Sequence, residues 1–128
     1  MPLDLHRPDT TYFVRRCEPH AITVVDREIS RSFVLSGDRL VEGWPVDDVA
    51  AIDAAAIEAV VALEPSVVLL GSGPRLRFPP QAVLAAFLTR GIGIEVMDNA
   101  AAARTFNVLA QEGRKVVAAF VLPPATPA

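Results

Sequence analysis

The sequence predicts a single three-layer α/β domain with a mixed central β-sheet, in which a β-rich amino-terminal half is followed by the order α-β-α-β-α-β. Two observations predict this fold class. Short runs rich in β-branched and aromatic residues dominate the chain up to Trp44, as is typical of strands. Beyond it, apolar residues recur at three- and four-residue steps, and buried-strand runs then alternate with helical segments. We expect the domain to span residues 11–122, between a flexible segment 1–10 and a frayed, proline-rich tail 123–128.

The β-rich half is expected to form an antiparallel meander. Turn-forming and charged residues, Asp26-Arg27-Glu28 and Ser36-Gly37-Asp38, separate its apolar runs and are typical of hairpin connections. Strands joined by such short turns pair antiparallel. The predicted strands of this half are Tyr12–Arg16, Ala21–Val25, Ile29–Leu35 and Arg39–Trp44.

The second half is expected to alternate helices and strands. Its first helix has Asp47 and Asp48 in the first turn and stops at Glu64-Pro65, because the residue before proline disfavours helix. Strands separated by helices need crossover connections, so at least part of the sheet is predicted to be parallel. The predicted elements are a helix over Val49–Leu63, a strand Val67–Leu70, a helix opened by Pro79-Pro80 and ended by Gly91, a strand Ile92–Met97, a helix from Asp98 or Asn99 to Gly113, and a strand Lys115–Leu122.

Composition and charge exclude several classes of protein. The chain has 128 residues, of which 52% are hydrophobic, and a net charge of −3, which argues against disorder and against binding of nucleic acid. A single cysteine, Cys17, rules out an intramolecular disulfide and fits a reducing compartment. No apolar run reaches the roughly 20 residues of a membrane span, and the amino terminus has the pattern of neither a signal nor a transit peptide. We therefore expect a soluble, cytoplasmic protein.

No catalytic or metal-binding constellation is visible in the sequence. Two histidines, His6 and His20, and one cysteine, Cys17, argue against a zinc site, because such sites draw four or three protein ligands. Ser72 does not fit the esterase pattern G-x-S-x-G, because Gly71 directly precedes it. We expect no metal and no cofactor, and the sequence favours a protein that is not an enzyme.

The turn Leu70-Gly71-Ser72-Gly73-Pro74 has two interpretations. It follows a predicted buried strand, and ligands of open α/β sheets bind beyond the carboxyl ends of strands. Glycines there let a ligand approach the backbone, whose free amides hold anions. The turn matches neither the dinucleotide-binding G-x-G-x-x-G pattern nor the Walker A loop. It is therefore interpreted either as a tight turn or as a ligand-binding loop.

Glu95 is the second candidate site residue. It lies in the middle of the predicted strand Ile92–Met97, where a carboxylate is costly unless it is paired. One interpretation is a structural network with Arg104, Asn107 and Arg114. The other is a polar pocket for a small ligand, between the glycine turn and the start of the third helix. The residues assigned to this pocket are Gly71, Ser72, Gly73, Glu95, Asp98, Asn99, Arg104 and Asn107.

Two motifs carry a family resemblance. The segment Gly91–Arg114 has the pattern G-I-x-x-E-x-M-D-x-x-x-A-x-R-T-F-N-x-L-x-x-E-x-R, and Leu70-Gly71-Ser72-Gly73 fits L-x-G-T/S-G. From Thr11 to Leu122 the chain resembles a domain-of-unknown-function family with the Mth938-like fold. That family includes mitochondrial respiratory complex I assembly factor 3 and the adipogenesis-associated cytosolic protein.

The resemblance implies a fold and a type of role. The fold is a three-layer α/β domain with a mixed sheet. For the mitochondrial members the implied role is a chaperone-like one in building the NADH dehydrogenase arm, together with a partner assembly factor. No catalytic residues are implied. Because the chain shows no mitochondrial presequence, we expect it to be a bacterial, cytoplasmic relative.

Three functions are compatible with these features. The leading hypothesis is a non-enzymatic assembly or interaction factor, whose partners are respiratory-complex subunits or a second assembly factor. The alternative is a small-ligand-binding protein or enzyme, with an anion as one candidate ligand, that uses the pocket near Gly71–Gly73 and Glu95. The third is a structural domain without a dedicated partner surface. No nucleic-acid partner is expected, and the sequence does not predict the oligomeric state.

Overall fold

The computed structural model of the protein describes the backbone of residues 3–6 and all of residues 12–124. It confirms the predicted fold class, a mixed α/β domain with helices on both faces of a central sheet. In chain order the elements are β1 (Leu3–His6), β2 (Val14–Glu18), β3 (Ala21–Val24), β4 (Arg27–Ile29), β5 (Phe33–Ser36), β6 (Arg39–Glu42), α1 (Ala54–Val61), β7 (Val67–Gly71), α2 (Gln81–Leu88), β8 (Gly93–Met97), α3 (Asn99–Gln111) and β9 (Val116–Phe120).

The central sheet has six strands in the order β1-β6-β5-β9-β7-β8. Strands β1, β6, β5 and β9 pair antiparallel with one another, whereas β9, β7 and β8 pair parallel. Helices α2 and α3 supply the crossover connections that parallel strands require. A second, three-stranded antiparallel sheet contains β2, β3 and β4.

The central sheet is covered on both faces, as β9 illustrates. Val117 and Ala119 pack in a core with α1 and α2, whereas Ala118 and Phe120 pack in a second core with α3 and the small sheet. All residues of β9 are buried. A strand covered on both faces reads as a continuous apolar run, and this is why the sequence predicts β9 so clearly.

The structure corrects the prediction that Ile29–Leu35 is one strand. β4 ends in the small sheet and β5 begins in the central sheet, so the predicted meander is divided between two sheets. At the crossing, the buried Ser32 hydroxyl donates to the Val46 carbonyl at 2.5 Å and accepts the Leu122 N–H at 2.8 Å. Ile29 before the crossing and Phe33 after it are both buried, so their hydrophobicity does not show that they belong to different sheets.

The first hairpin turn also differs from the prediction. Val25 and Asp26 form the turn between β3 and β4, and Val24 pairs with Arg27. Arg27 and Glu28, which were expected in the turn, therefore belong to β4. Val25 adopts a positive φ of 56°, which a β-branched residue seldom does and which the sequence gives no reason to expect.

The predicted helix over Val49–Leu63 is divided as well. It begins as a short 3-10 helix, Val49–Ala51, and α1 follows after a break. The carboxylate of Asp48 caps the first of these and that of Asp53 caps the second, each accepting a backbone N–H at 2.9 Å. Ile52 is the C-cap of the 3-10 helix, and Asp53, with extended backbone, is the N-cap that starts α1.

The amino-terminal segment 1–10, expected to be flexible, contains β1, which pairs antiparallel with β6 at one edge of the central sheet. Residues 1, 2 and 7–11 lie outside the described part of the chain. The proline-rich tail is described only to residue 124, without regular secondary structure, and residues 125–128 lie outside it as well.

The carboxyl ends of β7 and β8 lie side by side, with Gly71 opposite Met97. β7 runs into the glycine turn, and β8 runs directly into Asp98, the N-cap of α3. Most of the residues assigned to the candidate pocket therefore lie at or just beyond this edge of the central sheet.

Candidate functional site

The glycine turn is bonded to the first residue of α3. Gly73 N–H donates to Oδ1 of Asn99 at 3.1 Å, and Asn99 N–H donates to the Gly73 carbonyl at 2.9 Å. The Nδ2 group of Asn99 donates to the Val121 carbonyl at 2.9 Å. Asn99 is only 2% exposed, so one buried amide joins the ends of β7 and β9 to the start of α3.

Gly71 leaves room for that amide. A Cβ atom at this position would collide with Oδ1 of Asn99 and would lie 3.0 Å from a ring carbon of Phe120. Gly73 has a φ of 121°, a conformation that a residue with a side chain rarely adopts. The space that Gly71 leaves is thus occupied by the side chain of Asn99.

Ser72 is also engaged within its own loop. Its hydroxyl donates to the Arg75 carbonyl and accepts the Arg77 N–H, both at 2.9 Å. Its N–H donates to the Met97 carbonyl, and the residue is 4% exposed. The hydroxyl therefore organises the residues after the turn, which is the tight-turn interpretation of the sequence.

Asp98 caps α3. Its carboxylate accepts the Ala101 N–H at 2.8 Å, as the sequence predicts for one of the two cap candidates. An N-cap carboxylate also interacts favourably with the positive end of the helix dipole.

Asn107 joins α3 to the small sheet. Its Oδ1 accepts the Val14 N–H at 2.8 Å and its Nδ2 donates to the Val14 carbonyl at 2.9 Å. β2 is one of the two outer strands of the small sheet, and its register with β3 shifts between Val14 and Arg16. The amide of Asn107 therefore acts as a pairing partner for backbone groups at the free edge of β2.

A groove of about 230 Å³ lies between β2 and α3 and is open to solvent. Arg15, Arg16, Cys17 and Arg104 line it, together with Asn107. Burial raises the pKa of the Cys17 thiol, and the nearby Asp98 carboxylate raises it further, whereas Arg104 lowers it. The groove thus combines exposed cations with a thiol that is mostly protonated.

Glu95 lies apart from these residues. β8 is the last strand of the central sheet, and Glu95 is exposed on it, so the premise of a covered strand was wrong. Within residues 12–124 it has no hydrogen bond or ion pair with Arg104, Asn107 or Arg114. Its exposure removes the desolvation cost that made a partner necessary.

The predicted set is therefore divided among three places. Gly71, Ser72, Gly73 and Asn99 form the turn network, Asp98, Arg104 and Asn107 lie along α3, and Glu95 stands on the sheet edge. No cavity described here is lined by both the glycine turn and Glu95: the groove has the lining given above, and an apolar cavity of about 10 Å³ lies between the central sheet and α1 and α2. Ligand binding by the set stays a prediction.

Sequence reasoning missed the loop that follows the turn. Pro74–Phe78 is exposed throughout, with Leu76 at 53% and Phe78 at 68% exposure. The ion pair of Arg77 with Asp48, at 2.7 Å, tethers the loop to the segment before α1. The Ala50 N–H and Arg77 together lower the pKa of Asp48. The available signal was the placing of two large apolar residues between prolines, outside any periodic pattern.

Two further properties hold for the described residues. No group of three or more His, Cys, Asp or Glu side chains in them is arranged to hold a metal ion. None of the described helices has the length and apolarity needed to cross a membrane.

The fold and its glycine turn define an Mth938-like α/β domain. A solved structure from Bordetella pertussis described as an Mth938-like domain is 27% identical, with a TM-score of 0.77 over 90% of this chain and 88% of that one. A protein of Xanthomonas campestris solved by NMR is 48% identical, with a TM-score of 0.85 over 100% of this chain and 97% of that one. The chain belongs to the family described as "Protein of unknown function (DUF498/DUF598)", whose model matches residues 14–121.

Curated relatives of this chain carry an assembly role in their names. NADH dehydrogenase [ubiquinone] 1 alpha subcomplex assembly factor 3 of Bos taurus is 32% identical over 94% of this chain and 72% of its own length. The human protein of the same name is 34% identical over 78% of this chain, and the match spans 61% of its length. A more distant relative, 26% identical over 70% of this chain and 73% of its own length, is the 13 kDa major membrane protein of Francisella tularensis.

Proposed function

We propose that this protein is a non-enzymatic assembly factor that binds subunits of a respiratory NADH dehydrogenase, or a second assembly factor, while the complex is built. The observation that carries the proposal is the 32% identity to assembly factor 3 over 94% of this chain. Family membership alone names no activity, because the family model is one of unknown function.

The chemistry of the polar residues supports a binding role over a catalytic one. The side chains of Ser72, Asn99 and Asn107 form their hydrogen bonds with backbone groups. A nucleophile needs a base within hydrogen-bond reach, and the Ser72 hydroxyl has backbone groups there instead. Residues that brace loops and strands suit a domain that presents a rigid surface.

Affinity purification tests the proposal. A tagged form of the chain, expressed from its own promoter in its native cell, is captured and the bound proteins are identified by mass spectrometry. We expect subunits of the NADH dehydrogenase, enriched over a tagged cytoplasmic protein of similar size. Recovery of no respiratory subunit, from cells that contain the complex, would contradict the proposal.

A second candidate function, small-anion binding, is favoured by one observation. Arg15, Arg16 and Arg104 line the same open groove, and Arg104 belongs to the residues that the sequence assigns to a pocket. Titration with inorganic phosphate, followed by NMR at constant ionic strength, tests it. Saturable shifts at the three arginines that disappear in Arg104→Gln would support the candidate, and shifts no larger than those produced by chloride would remove it.

We also propose the cytoplasm as the compartment of this chain. Its free Cys17 is compatible with a reducing environment. The membrane association named for the Francisella tularensis relative is the competing localisation. Cell fractionation decides between them. A cytoplasmic protein is found in the soluble fraction at low salt, whereas a peripheral membrane protein is found in the membrane pellet and leaves it only in high salt.

A further inference from the structure

The loop Pro74–Phe78 is the part of the described surface with the strongest exposure of large apolar side chains. Phe78 is 68% exposed, whereas the other aromatic residues among those described are buried or half-buried. Leu76, two residues before it, is 53% exposed. Exposed apolar side chains that are grouped, unlike singly scattered ones, are typical of surfaces that bind a partner.

The loop is held in place although its tip is exposed. The Ser72 hydroxyl bonds to backbone groups of Arg75 and Arg77, and Arg77 forms an ion pair with Asp48. Buried residues, Gly73 and Pro79, stand at the two ends of the exposed stretch. A loop that is ordered before binding loses less conformational entropy when a partner covers it.

Its anchors are themselves fixed in the core. The Asn99 amide bonds to Gly73 and to the Val121 carbonyl. Gly71 packs against Asn99 of α3, and the Ser72 N–H donates to the Met97 carbonyl of β8. The polar residues that the sequence assigns to a ligand pocket thus connect the exposed loop rigidly to the central sheet.

Charge around the loop indicates the chemistry of the partner. Arg75 is exposed and has no ion pair among the described residues, whereas Arg77 is neutralised by Asp48. Asp47, which is exposed and precedes Asp48 in the chain, adds a negative charge near the loop. The unpaired charges near the loop, on Arg75 and Asp47, have opposite signs, so a surface of uniform negative charge such as an anionic membrane gains no net attraction. A protein partner with an apolar socket for Leu76 and Phe78 and a carboxylate facing Arg75 complements the loop.

We propose that Pro74–Phe78 is the docking loop of this protein, with Leu76 and Phe78 entering an apolar socket and Arg75 meeting a carboxylate on a protein partner. The inference rests on the proposed function, because it names the surface through which a respiratory subunit is bound. Phe78 is the anchor, since buried aromatic residues carry a large share of binding energy at protein interfaces. Arg75 contributes mainly to the rate of association and to its salt dependence.

Site-specific cross-linking and affinity measurements test this loop. A photoreactive phenylalanine replaces Phe78 in one form and Val108 in the other, because Val108 is also exposed, at 56%, but lies on α3. Both forms are irradiated with the purified peripheral arm of the NADH dehydrogenase and its isolated subunits. Affinities for the cross-linked subunit are then measured for wild type, Phe78→Ser, Leu76→Ser and Val108→Ser. Because all three side chains are exposed, the variants are expected to fold normally, and circular dichroism checks this.

We expect cross-links from position 78 and not from position 108. We also expect Phe78→Ser to weaken binding at least about tenfold, as loss of an anchor residue does, while Val108→Ser leaves the affinity unchanged. If wild type binds a subunit and Phe78→Ser binds as tightly, the docking loop is wrong and the proposed function stands. If wild type binds no subunit, both fail. Phe78-dependent binding to phosphatidylglycerol vesicles, or Phe78-dependent dimerisation in sedimentation, would also overturn the inference.

Discussion

Gly71 and Asn99 show at the level of single residues how the carboxyl end of β7 is built. The asparagine is a donor and an acceptor in the same buried site, and the glycine leaves the volume that its amide fills. Buried polar groups in folded proteins almost always have at least one hydrogen-bond partner, because leaving them without one is costly. No buried side-chain nitrogen or oxygen among the described residues lacks a hydrogen-bond partner. At this edge of the sheet the Asn99 amide meets that requirement by bonding to Gly73 and Val121.

Gly71→Ala is expected to lower the free energy of unfolding by about 1–3 kcal/mol, the usual cost of an overpacked site. The added methyl group meets Oδ1 of Asn99, which cannot retreat without losing its bond from Gly73. Urea denaturation measures the loss. Gly37→Ala is the matched control, because nothing lies within 4 Å of a Cβ there. Equal losses in the two variants would contradict the role given to Gly71.

Asn99→Asp is expected to cost on the order of 1–3 kcal/mol, although the two side chains have the same size. The carboxylate has no donor for the Val121 carbonyl, which Nδ2 of Asn99 now satisfies. At the exposed first turn of a helix, aspartate would instead be favourable. A variant as stable as wild type in thermal unfolding would show that the amide does not hold the turn.

At the level of elements, α3 is fastened to two different partners. Its first residue bonds to the glycine turn, and Asn107 bonds to the free edge of β2. These contacts explain why the segment Gly91–Arg114 contains so many polar residues among apolar ones. Three of them, Asp98, Asn99 and Asn107, cap α3 or fix it between the central sheet and the small sheet.

Asn107→Ala is expected to release β2 from α3. It removes two hydrogen bonds to Val14, each worth about 1 kcal/mol, and leaves that N–H without its side-chain partner. Hydrogen exchange at the Val14 amide should become faster, while exchange in β7 and β9 stays slow. Val108→Ala, the neighbouring exposed position, is the control. Unchanged protection of Val14 in the asparagine variant would exclude this role.

The groove between β2 and α3 predicts how fast Cys17 is alkylated. Burial and Asp98 raise the pKa of its thiol and Arg104 lowers it, and the thiolate is the reactive form. Asp98→Asn, which keeps an N-cap residue, should therefore shift the rate profile of iodoacetamide alkylation to lower pH. Arg104→Gln should shift it to higher pH. Both variants should react alike in urea, and shifts in the same direction when folded would refute the assignment.

The limits of prediction at this level follow from chain distance. The strand and helix patterns of β7, α2, β8, α3 and β9 are local, and the sequence predicts them within a few residues. The groove is not local, because Val14 and Asn107 are 93 residues apart. No pattern in either segment predicts that the two residues are in contact. Glu95 was misjudged for the same reason, since being at the sheet edge depends on strand order and not on the strand itself.

At the level of the whole molecule, the strand order β1-β6-β5-β9-β7-β8 could not be predicted from the sequence. Helical connections predict parallel pairing for the second half, and they do so correctly for β7, β8 and β9. They do not show that β9 lies between β5 and β7, which joins the antiparallel and parallel parts into one sheet. The mixed sheet itself was predicted from the short turns of the first half and the helical connections of the second, and the family resemblance implies the same fold.

The arrangement of the domain gives its proposed role a physical basis. A sheet covered on both faces holds the turn after β7, and that turn holds an exposed loop with Leu76 and Phe78 at its surface. Rigid presentation of a small apolar tip suits transient binding, because little order is lost when a partner arrives and the contact area is small.

The most direct test of this account is complementation. A strain deleted for the gene is complemented with wild type, Phe78→Ser or Val108→Ser, each at equal protein level, and assembled NADH dehydrogenase is quantified on native gels. We predict full assembly with wild type and with Val108→Ser, and assembly near the level of the deletion strain with Phe78→Ser. Full assembly with Phe78→Ser, or in the deletion strain itself, would contradict the account.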